Sequence, residues 1–220
     1  MKVCLIINKN RLNSKKIISL VKKLFKETTI VDVSKNKSQL KRVYNKKNFD
    51  YVFSYLCPYK IENKFLKKTN RYNINFHPGP SIYPGFGCYN YAVFNNDKHY
   101  SCTAHLMNSR IDNGKIFQVE NFRLKKKISL SDLIKLSNKK LFILFKKVLS
   151  KIVSNNFKIK KVCEWNKKNY TKKFFNEKFA TLEFKTNKVI FDRYIEATDN
   201  KKLGYPIIKI NNRKFKLYED

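Results

Sequence analysis

The amino-acid sequence predicts a doubly wound α/β fold built on a mostly parallel sheet. Short apolar runs rich in β-branched residues alternate with amphipathic helical segments from the amino terminus onward, and this alternation is typical of parallel sheets. A long amphipathic helix ends the regular pattern near residue 155. We therefore divide the chain into a main domain of residues 1–155 and a small carboxyl-terminal α+β accessory region of residues 156–220.

The first half of the chain contains four predicted strands and three predicted helices. The strands are the short apolar runs at residues 2–8, 29–33, 51–56 and 72–76. The helices have apolar residues at helical spacing and cover a segment that begins at Asn13 or Ser14 and ends near residue 25, followed by residues 38–47 and 61–68. The fourth strand leads directly into His77-Pro78.

The second half begins with an irregular stretch and then becomes regular again. Two further strands are predicted at residues 101–107 and 115–122. Ser129 and Asp132 match the capping box that begins many helices. The apolar face of the helix that follows consists of Leu130, Leu133, Ile134, Leu141, Leu144, Phe145, Val148 and Leu149. Near the end, Gly204-Tyr205-Pro206 precedes a strand-like run at 207–217 with a turn at Asn211-Asn212.

The composition predicts a soluble, cytoplasmic protein with no membrane partner. A hydrophobic fraction of 42% and an aromatic fraction of 15% exclude intrinsic disorder. No apolar run approaches the roughly 20 residues needed to cross a bilayer, and the amino terminus lacks a signal-peptide pattern. The five cysteines are scattered without a C-x-x-C pair, which predicts reduced thiols and no metal site.

The formal net charge of +33 leaves two interpretations open. A charge this high is typical of proteins that bind nucleic acid or anionic surfaces. However, only seven of the 49 basic residues are Arg, the residue that reads bases and phosphates in bidentate fashion. The lysines are also spread over the whole chain, beside many Asn, Ile, Phe and Tyr residues. This pattern favours a coding bias toward A/T-rich codons, under which surface positions become Lys. A nucleic-acid partner is therefore the less favoured interpretation.

Glycine and proline are concentrated in one segment. Four of the five glycines (Gly79, Gly85, Gly87 and Gly114) lie between His77 and Lys115. Three of the five prolines (Pro78, Pro80 and Pro84) lie within seven residues of one another. In a chain so poor in glycine, this cluster indicates a backbone path that needs unusual dihedral angles or a close approach. A rigid connecting loop is the alternative, but loops of this length are usually functional.

Polar residues with catalytic potential flank this segment. Asn75 and His77 are two apart in a predicted strand and so project from the same face, near the edge where open α/β sheets bind ligands. Asp112 lies in a turn just before a strand, with Gly114 able to adopt positive φ. A lone strand histidine or turn aspartate is more often structural. The loop Asn8-Lys9-Asn10 precedes a helix amino terminus, where anions are favoured, although both standard phosphate-binding motifs are absent.

Together these residues resemble a known family. The run Asn75-x-His77-Pro78-Gly79-Pro80-x-x-Tyr83-Pro84-Gly85-x-Gly87-Cys88-Tyr89-Asn90, followed by Asp112-x-Gly114, is similar to the formyltransferases that use N10-formyltetrahydrofolate. The Pro/Gly-containing loop and the carboxyl-terminal end resemble the nucleotide-sugar N-formyltransferases in particular. The resemblance implies a Rossmann-like fold, a folate co-substrate, a nucleotide-linked amino sugar as acceptor, and no metal.

The resemblance also implies roles for individual residues. Asn75, His77 and Asp112 would be catalytic, with His77 acting as base, as oxyanion donor or as both in turn. The pterin of the folate would lie beside Cys57, Pro58, Tyr59, Ile61 and Gly114. The nucleotide pyrophosphate would contact Asn8, Lys9 and Asn10, and the sugar would contact Tyr83, Tyr89 and Asn90.

Two other functions stay open from the sequence. Formylation of methionyl-tRNA would suit the basic charge, but it is associated with a larger carboxyl-terminal domain. A non-catalytic nucleic-acid-binding protein would have no reason to keep all three catalytic residue types. The hexose, the position of its amine and the nucleotide are not specified. We predict a homodimer from the aromatic tail residues Phe174, Phe175, Phe179, Phe184, Phe191 and Tyr194.

Overall fold

The computed structural model describes residues 1–44, 48–168, 170–179, 181–183, 186–198, 207–210 and 213–217. The main sheet contains β1 (Lys2–Ile7), β2 (Glu27–Asp32), β3 (Tyr51–Tyr55), β4 (Tyr72–His77), β5 (His99–Leu106) and β6 (Ile116–Arg123). The helices of this part are α1 (Ser14–Leu24), α2 (Ser38–Tyr44), α3 (Asn63–Leu66), α4 (Cys88–Phe94) and α5 (Leu130–Val153). Every element except α4 overlaps a predicted segment. The last residues of the predicted helix 38–47 lie outside the described residues.

The order of strands in the main sheet is β2-β1-β3-β4-β5-β6. Strands β1 to β4 are parallel, whereas β5 and β6 are antiparallel to their neighbours. Because β2 and β3 lie on opposite sides of β1, the chain winds outward in both directions, and the predicted doubly wound, mostly parallel sheet is confirmed. The loops that follow β1, β3 and β4 leave the same edge of the sheet, where ligands bind in open α/β folds.

Helix α5 covers one face of this sheet. Phe145 of α5 packs edge-on against Phe76 of β4, with ring centroids 4.7 Å apart, and Ala104 of β5 belongs to the same core cluster. Because side chains alternate along a strand, the neighbours of Phe76 in β4, Asn75 and His77, face the opposite side of the sheet. The long helix therefore determines which face is left for chemistry.

The amino terminus of α5 is closed by the predicted cap. Ser129 Oγ accepts the backbone N–H of Asp132 at 3.1 Å. We expect Ser129→Ala to lower the free energy of unfolding by about 1 kcal/mol because that N–H loses its partner. Thermal unfolding should then shift down by roughly 2–4 °C. Ser154→Ala, at the other end of the same helix, is the control, and an equal shift in both variants would contradict the capping role.

Within the main domain, helix α4 is the element that the sequence did not predict. It lies within the stretch read as irregular, and its sequence CYNYAVF is short and rich in aromatic and β-branched residues, which are poor helix formers. Tertiary contacts stabilise it instead. Tyr91 packs against Phe179 and Tyr170, with ring centroids 4.5 and 4.3 Å apart. Gly87 precedes the helix with a φ of 87°, a conformation that favours glycine.

The carboxyl-terminal region forms a second, smaller sheet. Its strands β7 (Thr181–Glu183), β8 (Ile207–Ile210) and β9 (Arg213–Lys216) lie in that order, with β7 and β8 parallel and β8 and β9 antiparallel. Helix α6 (Lys172–Phe174) continues into a π-helical turn (Phe175–Phe179), and α7 (Lys188–Thr198) packs on α4. The predicted features at Gly204-Tyr205-Pro206 and Asn211-Asn212, together with Phe184, lie outside the described residues.

The aromatic tail is largely used within the chain. Phe175 and Tyr194 are each 3% exposed, and both pack in the layer formed with α4 and Phe179. The apolar surface from which a dimer was predicted is thus partly consumed by intrachain packing, and the homodimer stays a prediction. Across the described residues, no helix combines the length and apolar character that a membrane span requires.

Candidate active site

Strands β4 and β5 place the side chains of Asn75, His77 and His105 on the face opposite α5. In their antiparallel register, Asn75 lies beside His105 and His77 lies beside Thr103. His77 is 4% exposed and His105 is 2% exposed, whereas Asn75 is half-buried. The two imidazoles are therefore shielded from solvent, and the amide keeps some access to it.

Asp112 joins this cluster from the loop between β5 and β6. Its carboxylate oxygens lie 3.1 Å from Nδ1 of His77 and 3.2 Å from Nε2 of His105. The carboxylate also accepts the side-chain N–H of Asn75 at 3.3 Å and the backbone N–H of Gly85 at 2.9 Å. One buried carboxylate thus connects two strands and the Gly/Pro-rich loop, and it brings Asn75, His77 and Asp112 into one cluster.

His105 is the member of this cluster that the sequence analysis did not include. Its Nε2 lies 3.0 Å from Nδ2 of Asn75, and its Nδ1 lies 2.8 Å from the carbonyl oxygen of Leu106. Because the carbonyl oxygen of Leu106 only accepts, Nδ1 of His105 carries a proton; Nε2 then accepts from Asn75 in the neutral ring and donates to Asp112 in the imidazolium. Strand alternation puts His105 on one face, but only the β4–β5 register puts it beside Asn75.

The electrostatics of the cluster are dominated by Asp112. Burial by itself raises the pKa of this carboxyl group, but the charge of His77 and the hydrogen bonds from both imidazoles outweigh burial and hold the pKa well below its ordinary value. Asp112 is therefore ionised at neutral pH. A carboxylate beside Nδ1 of His77 favours a proton on that nitrogen, which leaves Nε2 as the nitrogen able to exchange a proton with a bound group. No group of His, Cys, Asp and Glu side chains among the described residues suits a metal ion.

Nε2 of His77 is buried and has no hydrogen-bond partner among the described residues. Gly79 passes so close that a Cβ atom there would lie 2.7 Å from this nitrogen and 2.7 Å from the Cβ atom of Cys88. An unsatisfied buried group of this kind costs about 1–3 kcal/mol. Of the two ring nitrogens of His77, Nε2 is therefore the one that no described residue engages by a hydrogen bond, and it lies beside Gly79 and Cys88.

The turn that carries Asp112 differs from the prediction in one respect. The residue with positive φ is Asp112 itself, at 41°, and not Gly114. Gly114 is needed for space, because a Cβ atom there would collide with the carbonyl oxygen of Leu106. The turn is thus pressed directly against the end of β5.

The loop after β3 borders a cavity of about 380 Å³. The cavity is lined by Lys37, Leu40, Lys41, Lys60, Glu62, Asn63 and Ser109, so it lies between α2, this loop and the loop after β5. The side chains predicted to hold a pterin are placed beside it rather than in its lining. Pro58 is exposed and Tyr59 is half-buried, whereas Ile61 is 6% exposed and packs in the core. Cys57 donates to the carbonyl oxygen of Tyr59, and burial raises its pKa to about 11.

The loop after β1 leaves the ligand-binding edge of the sheet. Lys9 and Asn10 are exposed there, and Nζ of Lys9 lies 3.8 Å from Asp32. The side chain of Asn8 accepts the backbone N–H of Asn10 at 3.0 Å, which shapes the turn. Lys9 and Asn10 are therefore accessible to solvent at this edge, with the ammonium group of Lys9 paired with Asp32, while the side chain of Asn8 acts on the loop itself.

The three residues predicted to contact the sugar are engaged within the protein. Tyr83 is 6% exposed, donates its hydroxyl to Asp97 at 2.8 Å and accepts from Asn95. Asn90 is 2% exposed and donates its amide to the carbonyl oxygen of Ala197 in α7 at 2.6 Å. The ring of Tyr89 is half-buried and stacks on Tyr100. These contacts engage the polar groups of Tyr83 and Asn90 in the packing around α4, and the contact of these residues with a sugar stays a prediction.

Comparison with known proteins adds independent information on this fold and site. Residues 1–149 match the formyl transferase family. A sugar N-formyltransferase from Shewanella sp FDAARGOS_354 has 17% identity and a TM-score of 0.76, with 99% of this chain and 96% of that chain covered. A 4-N formyltransferase from Francisella tularensis has 17% identity and a TM-score of 0.73, with 100% and 97% covered.

A third similar structure contains bound molecules. The N-formyltransferase from Helicobacter canadensis, in complex with folinic acid and dTDP-3-aminofucose, has 17% identity and a TM-score of 0.72, with 96% of this chain and 85% of that chain covered. A comparison with curated protein sequences gives no match. At identities this low, the structural similarity establishes the shared fold alone. The family match over about two thirds of the sequence establishes more: the chain belongs to the formyl transferase family and is a formyl-transferring enzyme.

Proposed function

We propose that this enzyme transfers the formyl group of N10-formyltetrahydrofolate to the amine of a nucleotide-linked 3- or 4-amino-6-deoxyhexose, with a dTDP-sugar as the first candidate. The observation that carries the proposal is the buried cluster of Asn75, His77 and Asp112 at the ligand-binding edge of the sheet. The similar sugar N-formyltransferases from Shewanella and Francisella match over nearly their whole length, which supports a sugar acceptor. The enzyme would form the N-formylated sugar nucleotide in the cytoplasm, and this product would be used in the synthesis of a surface glycan.

The reaction is an acyl transfer with three requirements. The neutral sugar amine attacks the formyl carbon, and a tetrahedral oxyanion forms. The bond between that carbon and N10 of the folate then breaks, and the proton lost by the amine ends on N10. The protein has to bind the oxyanion, move this proton and hold both substrates in line.

Asn75 and His77 would each serve one chemical requirement, and Asp112 would support His77. The amide of Asn75 keeps one N–H on Asp112 and would donate the other, which lies against His105, to the oxyanion; in other enzymes, one such donor contributes about 3–4 kcal/mol. His77 would accept or donate the proton through Nε2. Asp112 would hold the imidazole in the correct tautomer through Nδ1, as the carboxylate does in catalytic triads.

We assign the two substrates to separate places along the sheet edge. The cavity beside the loop after β3 carries Lys37, Lys41 and Lys60 in its lining, and these cations suit the glutamate carboxylates of a folate. Lys9 and Asn10 follow β1 at the same edge and would contact the diphosphate of the acceptor, since phosphates are favoured near a helix amino terminus. The strongly positive charge of the chain increases the rate at which either anion arrives.

A substrate panel tests the proposal. We expect N10-formyltetrahydrofolate to be consumed only when an amino sugar is present, and the sugar nucleotide to gain the mass of one formyl group. The panel pairs dTDP- and UDP-linked 3-amino- and 4-amino-6-deoxyhexoses with the corresponding hydroxyl sugars as controls. Methionyl-tRNA forms a separate arm. Turnover with the tRNA and none with any amino sugar would overturn the sugar assignment.

A further inference from the structure

A segment outside the family-matched residues closes the catalytic cluster. We call residues 157–168 the strap. It starts on the face of the sheet that α5 covers, where the ring of Phe157 packs against that of Tyr72. The backbone N–H of Val162 then donates to the carbonyl oxygen of Ile116, at the start of β6, at 3.0 Å. It ends against the Gly/Pro-rich loop, where the N–H of Asn166 donates to the carbonyl oxygen of Ser81 at 2.9 Å. The strap thus wraps around the edge strand and reaches the sheet face that carries the cluster.

Trp165, the only tryptophan of the chain, projects from the strap onto this cluster. Its Nε1–H donates to the carbonyl oxygen of Gly114 at 2.7 Å. Its ring meets the imidazole of His105 edge-on at 5.0 Å and that of His77 edge-on at 5.6 Å between centroids. No other side chain among the described residues makes ring contacts with both histidines.

The hydrogen bond to Gly114 acts on the turn that carries Asp112. Asp112 holds a left-handed conformation two residues before Gly114, and a conformation of this kind persists only where surrounding contacts impose it. On one side, Gly114 is pressed against the carbonyl oxygen of Leu106. On the other side, the indole N–H holds its carbonyl group. The carboxylate is therefore held between β5 and the strap.

The indole ring also keeps water from the two imidazoles. The side chains of His77, His105 and Asp112 are between 2% and 6% exposed. Their mutual interactions are stronger in this low-dielectric setting than they would be in water. Loss of the ring would open one side of the cluster to solvent and weaken the hold of Asp112 on both histidines.

We propose that Trp165 is a positioning residue of the active site: its N–H holds the Asp112–Gly114 turn, and its ring excludes water from His77 and His105. The expected effect on kcat rests on the proposed formyl transfer, whereas the hydrogen bond and the ring contacts of the indole do not depend on it. Because the chain has a single tryptophan, spectroscopy can observe those contacts without any turnover.

The first experiment measures the indole directly. In protein labelled with ¹⁵N-tryptophan, we expect one Nε1–H signal whose exchange with deuterium is at least about 10-fold slower than that of free indole, as for a hydrogen-bonded group. The Cε1–H signals of His77 and His105 should move in Trp165→Phe, because the ring current over both imidazoles changes. Exchange as fast as that of free indole would overturn the proposal, whatever activity the enzyme has.

The second experiment separates the N–H from the ring. Trp165→Phe keeps an aromatic edge and loses the donor, and we expect kcat to fall about 10-fold. Trp165→Leu loses both, and we expect a fall on the order of 100-fold. KM for the folate and for the amino sugar should stay within about 2-fold of wild type, because the ring positions catalytic groups and does not bind either substrate.

Asn166→Ala is the matched control on the same strap. It removes two side-chain hydrogen bonds, one donated to the carbonyl oxygen of Ile82 and one accepted from the backbone N–H of Lys168, and leaves the indole in place, so kcat should stay near that of wild type. A fall in Asn166→Ala equal to that in Trp165→Leu would assign the effect to the strap in general and overturn the specific role of Trp165. If wild type formylates no acceptor, the proposed function fails, and the exchange and imidazole signals still decide the role of the indole.

Discussion

Replacing His77 with Asn is expected to lower kcat by about three orders of magnitude, within the range measured for general acid–base groups. His77 is the imidazole whose Nδ1 contacts Asp112 and whose Nε2 has no partner within the described residues. Asn has no group that titrates near neutral pH, so the proton of the attacking amine loses its carrier. Binding of dTDP, measured by calorimetry, should change little, since Lys9 and Asn10 lie on the loop after β1.

The matched control is His99→Asn. His99 begins β5 and is exposed, so we expect its kcat to stay within about 2-fold of wild type, as is usual for surface substitutions. Thermal unfolding should show that both variants fold. Retained turnover in a folded His77→Asn protein would remove His77 from the proton transfer and leave the reaction to Asn75 and bound water.

Replacing Asp112 with Asn should have an effect of similar size on activity, on the order of 10³ to 10⁴ in kcat, as for the carboxylate of a catalytic triad. The carboxylate accepts from Gly85 and Asn75 and pairs with both imidazoles. The amide of Asn carries two N–H donors, so at least one of them meets another donor in a buried space. We expect the free energy of unfolding to fall by roughly 1–3 kcal/mol for that mismatch.

The same variant has a distinct pH signature. The pKa of Asp112 is lower in the folded protein than its ordinary value, so the unfolded chain takes up this proton first as the pH falls. The stability that the carboxylate contributes is fully present at neutral pH and is lost below about pH 4, where unfolded aspartates become protonated. We therefore expect the difference in stability between wild type and Asp112→Asn to shrink as the pH falls through that range.

Asp132→Asn provides the comparison for this measurement. Its side chain is 64% exposed and, within the described part of the chain, forms an ion pair only with Lys135 at 3.5 Å, so neither activity nor the pH dependence of unfolding should change measurably. Parallel stability curves for wild type and Asp112→Asn down to pH 3 would show that the carboxylate does not hold the cluster together, and the same result would weaken its proposed catalytic role.

The strands and the long helix follow from local patterns. The alternation along β4 already puts Asn75 and His77 on one face, and Ser129 with Asp132 already predicts the start of α5. Asp112 joins them only through the resemblance to a family, because no local rule brings a turn 37 residues away onto Asn75. Helix α4 escaped prediction for the opposite reason: its sequence has little helical preference, and aromatic packing supplies what that sequence lacks.

The amino-acid sequence by itself determined the doubly wound sheet and the capped helix that covers one face, since these follow from side-chain periodicity and backbone preference; the residue types suited to acyl transfer are identified through the resemblance to a family. Only the tertiary structure decided that His105 lies beside Asn75, that Tyr83 and Asn90 serve packing, and that Trp165 closes the cluster. Strand register and the path of the strap depend on contacts between residues far apart in the chain. Such contacts do not produce a repeating pattern of residues, so the sequence alone does not predict them.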